Sequence, residues 1–317
     1  EGAFASAFVP MLVEVRDREG AAAARRFSGE AALALLATIA LLTVPAMVFA
    51  PEVVRLLAPG FAADPGKLAL TATLARICLP YLACISVVAL LAGALGTDRR
   101  FLAAATAPIL LNTVLIATLL GLLVRHGDDA RAGVLLSLAV TAAGLLQVAV
   151  LGVAAARAGL MPHLALPRDL ARLRRLALRA GPGLISGGLV EINIVVSTMI
   201  ASADAGAVSW LYYADRLYQL PLGVVGIAVG QVLLPEIANV LSSGATARAH
   251  GVQNRSLEFS LALALPAALA LWLLAGPIVE ILFRRGAFSE RDAVEAARAL
   301  AVFALGLPRS AEHTSEL

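Results

Sequence analysis

FLAAATAPILLNTVLIATLLGLLV, residues 101–124, runs for twenty-four positions without a charged side chain. As a helix it would extend roughly 36 Å, more than the ~30 Å hydrocarbon core of a bilayer. Its backbone polar groups would find no water there, so only a helix or a closed barrel could satisfy them. No strand-like alternation with turn signals appears, and the run reads as a membrane-spanning helix. Working outward, similar apolar stretches bounded by charges, Pro or Gly lie at 2–14, 31–50, 69–95, 132–155, 182–203, 207–234, 257–275 and 292–308. The chain is therefore expected to be an all-α polytopic membrane protein of about nine transmembrane helices.

Composition agrees. Of the 317 residues 60% are hydrophobic, 15% charged and 5% aromatic, with mean hydropathy +0.86. Soluble domains carry about 25% charge, which excludes a soluble enzyme built on one core. The net charge of +3 is too small to argue for nucleic acid. Partners are expected to be membrane lipids or a translocated solute. Cys78 and Cys84 fall in one apolar run and read as small core residues, without metal or disulfide spacing. The chain opens at Glu1 inside an apolar segment, without Met or a cleavable export sequence, and is expected to be a piece of a longer protein.

The basic residues orient the spans. Odd-numbered connections hold fourteen Arg or Lys and even-numbered ones seven, so by the positive-inside bias 15–30, 156–181 and 239–256 face the cytoplasm. The 156–181 connection contains RDLARLRRLALR (168–179), with Leu170, Leu173 and Leu176 at three-residue spacing among arginines. It reads as a cytoplasmic amphipathic linker lying on anionic headgroups.

The chain also resembles itself. Pro10 and Pro235, Pro51 and Pro277, Gly60 and Gly286, Phe61 and Phe288, Pro80 and Pro308 keep offsets of 225 to 228. The offset spans six helices, an even number, so two copies would share one orientation, related by an axis along the membrane normal. Parallel repeats of this kind occur in secondary transporters, with the substrate between the halves. The expected organisation is an N-terminal lobe over 1–155 lacking its first helix, the linker at 156–181, and a truncated C-terminal lobe over 182–308. Residues 309–317 break the apolar pattern and are set aside as a non-native tail.

Catalytic constellations do not appear. The histidines, His126, His163, His250 and His313, lie far apart in connections or the tail, and no phosphate loop, HExxH or GxSxG motif occurs. The expectation is a non-enzymatic protein without a metal site. Candidates for binding are Asp215 and Arg216, roughly 14 Å into the segment beginning at 207. Ionisable groups at that depth normally face a cavity. A competing reading places Trp210, Tyr212, Tyr213 and Arg216 in the aromatic belt of the outer interface. Glu191 and Asn193, at mid-span, suit ion coupling or a cavity lining, and equally a structural pair with a neighbouring helix. Arg76 reads as snorkelling, and Asn112 as glue between helices.

The strings EGAFASAFVP (1–10), APGF (58–61), PILLN (108–112), VSWLYYADRLYQLP (208–221) and LFRRGAF (282–288) resemble, in order, the bacterial lipid II flippase family, MurJ/MviN, of the multidrug/oligosaccharidyl-lipid/polysaccharide exporter superfamily. The resemblance implies two six-helix lobes around a central cavity plus two further helices, of which this chain would hold helices two to ten. It implies translocation of the lipid-linked pyrophosphate precursor of peptidoglycan from the cytoplasmic to the periplasmic leaflet of the bacterial inner membrane. No cofactor is implied, the driving force being the membrane potential or an ion gradient, and cell-wall synthesis proteins are candidate partners. One of the family's cavity arginines falls on Arg216, beside Asp215. Other cavity arginines would precede Glu1; Ser197 is neutral near where some relatives carry a sodium-binding acid; Glu191 stands where relatives often have Gln. Alternatives are another exporter of the superfamily, for O-antigen lipid or drugs, and a catalytically silent membrane scaffold for cell-wall synthesis.

Overall fold

The computed structural model describes the backbone of residues 2–125, 129–167, 169–242 and 246–316, and their side chains except at 2–3, 125, 129, 189–190, 225–242, 246–254, 256 and 310–316. His126, Arg168, Pro235, His250 and His313 lie outside the described side chains. All nine expected segments fall on helices, and no strand occurs among the described residues. Contacts group the chain into two compact units, Glu1–Ile200 and Ala201–Leu317.

The first unit runs α1 (Gly2–Glu19), α2 (Ala21–Val48), α3 (Ala50–Leu57), a short 3₁₀ turn (Pro59–Ala63), α4 (Pro65–Cys78), α5 (Tyr81–Thr97), α6 (Phe101–Arg125), α7 (Asp129–Arg157) and α8 (Leu170–Ala201). One core joins Phe8 and Met11 of α1, Phe27 of α2, Leu90 of α5 and Leu176 of α8. A second joins α5, α6 and α7 through Leu91, Leu95, Ala107 and Leu151. The motif at 1–10 thus has a packing role: Phe8 is fully buried, stacked 5.2 Å from Phe4 and 5.8 Å from Phe27.

The expected span at 69–95 is two helices. Pro80 lacks an N–H and breaks the ladder between α4 and α5. A neighbour compensates, as a broken helix requires in an apolar medium: Thr141 Oγ1 of α7 donates to the freed carbonyl of Ile77 at 2.6 Å. The break after α2 is treated similarly. Arg76 donates from Nε to the Met47 carbonyl at 2.9 Å and from Nη2 to Val48 at 3.4 Å, capping the C-terminus of α2. Arg76 is therefore structural. Asn112 is exposed on α6, and of the cysteines Cys84 is buried and Cys78 half-buried, both unbridged.

Charged side chains tie the connections of this unit together. Arg16 pairs with Asp98, which holds the guanidinium above its usual pKa. Arg26 pairs with the buried Glu30 at 3.1 Å. Arg172 bridges Glu19 at 2.9 Å and Asp169 at 3.3 Å. Residues 158–167 form a strap over the start of α2. His163 N–H donates to the Arg25 carbonyl at 3.0 Å, and Arg25 Nη1 to the Gly159 carbonyl at 3.2 Å.

The amphipathic stretch 168–179 does not form a separate linker helix. Asp169 caps it, accepting from Arg172 N–H at 2.9 Å, and α8 then continues without interruption through Pro182 to Ala201. Leu173 and Leu176 pack into the core of the first unit, so they are not the apolar face turned to lipid that their spacing led one to expect.

The second unit runs α9 (Ala207–Ser242), α10 (Thr246–Leu273), α11 (Ala275–Phe283) and α12 (Glu290–Glu316). Trp210, Ala214 and Leu217 of α9 pack on Val279 of α11 and Leu300 of α12. The element order repeats that of α1 to α4. A long helix breaks at Phe49 in one unit and Leu274 in the other, restarts at Ala50 and Ala275, turns, and begins its next helix after a capping Asp64 or Ser289. Each pair stands 225 residues apart. Pro80 and Pro308 differ, since α12 passes through Pro308 unbroken. Among the described residues, five helical stretches are long and apolar enough to cross a membrane, or six with Leu257–Leu273 and Ala275–Phe283 taken as one span bent by 72°. Segment 2–14 lies on a helix ending in Glu14, Arg16, Asp17, Arg18 and Glu19, and segment 292–308 on one opening with Glu290, Arg291 and Asp292.

Candidate functional site

Gly206 sets the start of α9. Its φ is +96°, in the left-handed region that most side chains avoid, and an added Cβ would lie 2.7 Å from the Trp210 ring. Trp210 folds back over this turn and is 8% exposed. Its Nε1–H donates to Asp292 Oδ1 at 2.7 Å, across to the first turn of α12.

Asp292 serves twice. Its Oδ2 accepts from Ser289 N–H at 2.8 Å while Ser289 Oγ accepts from Asp292 N–H at 3.2 Å, a reciprocal cap at the start of α12. Beside it Tyr213 packs on Phe283 and Phe288, with ring centroids at 4.8 and 5.1 Å. Two of the quoted strings, 208–221 and 282–288, therefore meet in one aromatic knot. A cleft of about 530 Å³ opens there, lined by Ser209, Trp210, Tyr213, Arg285, Phe288 and Asp292. Trp210 and Tyr213 are engaged in this packing, whereas Tyr212 is exposed, at 57%.

Trp210→Phe keeps an aromatic ring, smaller than the indole, and deletes the donor to Asp292. The bond is part-buried and joins α9 to α12, so the variant should unfold at a lower temperature in detergent. An unchanged melting temperature would show that the Trp210–Asp292 bond does not hold α9 to α12.

The other face of α9 carries polar chemistry. Tyr212, Asp215, Arg216 and Gln219 follow i, i+3, i+4 and i+7 spacing and so form one stripe. Arg216 is exposed, and its guanidinium lies 4.8 Å from the centroid of Tyr212. Its Nη1 donates to Gln219 Oε1 at 3.4 Å, and Gln219 Nε2 donates to Asp215 Oδ2 at 2.5 Å. Asp215 therefore reaches Arg216 through Gln219, and among the described residues Arg216 forms no ion pair. The arrangement leaves a cation with most of its fork of donors free, steadied by a ring and an amide. Such a group can grip a planar or tetrahedral oxyanion through paired hydrogen bonds. Gln219 was not among the sequence candidates, although its helical spacing from Asp215 and Arg216 would have found it.

Glu191 and Asn193 are exposed on α8 in the first unit. Two residues apart on a helix, they point about 200° apart around the axis and do not form one cluster. Among the described residues no group of three or more His, Cys, Asp or Glu side chains is arranged to hold a metal ion.

Comparison with known proteins follows the same lines. The family model described as Lipid II flippase MurJ matches residues 1–311. The chain is 48% identical over 309 residues to the probable lipid II flippase MurJ of Rhizobium meliloti, covering 97% of this chain and 58% of that protein. It is 32% identical over 312 residues to the lipid II flippase MurJ of Burkholderia cenocepacia, covering 97% of this chain and 60% of that one. A solved structure of lipid II flippase MurJ in an inward closed conformation superposes with a TM-score of 0.80 at 22% identity, covering 99% of this chain and 64% of its own. That likeness concerns the fold. The chain thus spans about three-fifths of the length of the relatives it matches.

Proposed function

The chain belongs to the lipid II flippase MurJ family, and from that premise we propose that it takes part in moving a lipid-linked pyrophosphate, lipid II, from the cytoplasmic to the periplasmic leaflet by alternating access. It works as a multi-pass protein of the bacterial inner membrane and breaks no covalent bond. The observation that carries the reading beyond kinship is the guanidinium of Arg216, exposed and among the described residues in no ion pair, on a largely apolar helix. A pyrophosphate presents several anionic oxygens, and a guanidinium fork meets two at once. Asp215, through Gln219, keeps the cation in place without neutralising it by direct contact.

Energy for the cycle comes from the membrane potential or an ion gradient, with Glu191 of α8 as the group on which an ion would act; Asn193 points to another side of the helix and does not share that role. A carboxylate at mid-span is costly unless paired, protonated or solvated, so its protonation or ion binding can bias a conformational equilibrium. Cell-wall synthesis proteins that receive the cargo on the far side are the expected partners. The test is rescue of a flippase-depleted bacterium by a gene of the relatives' full length carrying residues 1–308 of this chain. Rescue of growth with clearance of accumulated lipid II is expected. Normal insertion with continued accumulation would overturn the proposal.

A further inference from the structure

The N-terminal third of α8 has two faces. Leu173, Leu176 and Ala180 are packed against the first unit. The opposite face carries Arg174, Arg175 and Arg179, all exposed and, among the described residues, in no ion pair. Leu170 and Leu178 stand among them at 72% and 65% exposed. Leu170, Arg174 and Leu178 follow i, i+4, i+8 spacing, and Arg175 and Arg179 form the adjoining row. Neighbouring Arg172, by contrast, is committed to Glu19 and Asp169, so the helix is fixed to its unit by one arginine and leaves three unsatisfied.

The same helix continues directly into an apolar stretch long enough to cross a membrane. The arginine-bearing turns therefore sit where that span leaves the hydrocarbon, at the depth of headgroups. Exposed leucines interleaved with cations there match a leaflet that presents phosphates above acyl chains. A soluble anion would leave the two leucines unaccounted for.

We propose that the outer face of α8, through Arg174, Arg175 and Arg179 with Leu170 and Leu178 dipping among acyl chains, binds anionic phospholipid headgroups of the bilayer. The proposal does not depend on which cargo the protein moves. Each basic residue near an anionic surface contributes about fivefold in affinity, so three together amount to something on the order of 100-fold.

The experiment uses the whole chain purified in detergent, with retained phospholipid measured by native mass spectrometry during titration with phosphatidylglycerol or phosphatidylcholine. The wild type should retain phosphatidylglycerol in preference to phosphatidylcholine. The triple variant Arg174→Gln, Arg175→Gln, Arg179→Gln should lose affinity for phosphatidylglycerol by roughly 100-fold, and Arg175→Gln alone by about fivefold, which keeps the test open if the triple variant does not fold. Replacing the same three by lysine should keep binding within a few-fold. Equal phosphatidylglycerol binding in the glutamine variants, equal retention of phosphatidylcholine, or displacement of lipid by glycerol phosphate would each overturn the proposal, the last by marking a site for free phosphate.

Discussion

Arg216→Ala, carried in a gene of the relatives' full length, should abolish rescue of a flippase-depleted strain while membrane insertion and protein amount stay normal. The side chain is exposed, and its removal leaves the Gln219–Asp215 bond and the buried face of α9 untouched. Stability should therefore hold while binding of the pyrophosphate falls. Hydrogen bonds to a charged group contribute about 1.5–3 kcal/mol, a loss of roughly 10- to 100-fold for one bond and more for a paired fork. Arg216→Lys should rescue partly, since an ammonium keeps the charge and loses the fork. Tyr212→Phe should be close to wild type because the ring face that supports the guanidinium remains. Tyr212→Ala should weaken function two- to fivefold through loss of the cation–π contact of about 0.5–1 kcal/mol. Full rescue by Arg216→Ala at normal protein level would remove the residue from the binding machinery.

Hydropathy made the helices legible because each long apolar run has only one way to satisfy its backbone in a bilayer. It could not show where a run breaks. The stretch 69–95 is apolar on both sides of Pro80, and the turn there depends on Thr141, sixty-four residues from the Ile77 carbonyl it satisfies. The break at Phe49 likewise leans on Arg76, whose depth in its own segment gave no sign that its partners were carbonyls of α2. The repeat was visible as proline spacing, and the structure adds that the features preserved at one offset are a helix break and a cap, while the last proline pair behaves differently in the two units.

At the candidate site the sequence singled out Asp215 and Arg216 by charge in an apolar helix, and left two readings of the aromatic residues around them. Three-dimensional contacts add what the sequence did not show: Trp210 and Tyr213 pack on Asp292, Phe283 and Phe288, partners more than sixty residues away, and Tyr212 packs on Arg216. Only the second kind of contact is local, and only local contacts can be read from helical spacing. Leu173 and Leu176 illustrate the same limit. Their spacing fixes that they share a face with each other, but not whether lipid or the first unit covers it.

Gly29→Ala should release the strap at 158–167 from α2. Nothing in the sequence around Gly29 marks it, since a glycine near the start of an apolar helix is unremarkable by composition. In the structure it is buried, and an added Cβ would overlap the His163 carbonyl and lie 2.9 Å from the Leu164 nitrogen. Both obstacles are backbone, so neither can swing aside as a side chain would. The strap must move, and with it go the His163 N–H bond to Arg25 and the Arg25 bond to the Gly159 carbonyl. Overpacking of this kind costs about 1–3 kcal/mol, occasionally more. The expected result in detergent is a lower melting temperature together with faster trypsin cleavage after Arg157, at the entry to the strap. Gly152→Ala on α7 is the matched control, because an added Cβ there meets nothing within 4 Å. Alanine in a helix interior is favoured over glycine by roughly 0.5–1 kcal/mol, so that variant should melt at the same or a higher temperature with unchanged cleavage. Identical cleavage and melting for Gly29→Ala and wild type would mean that the strap does not lie on Gly29.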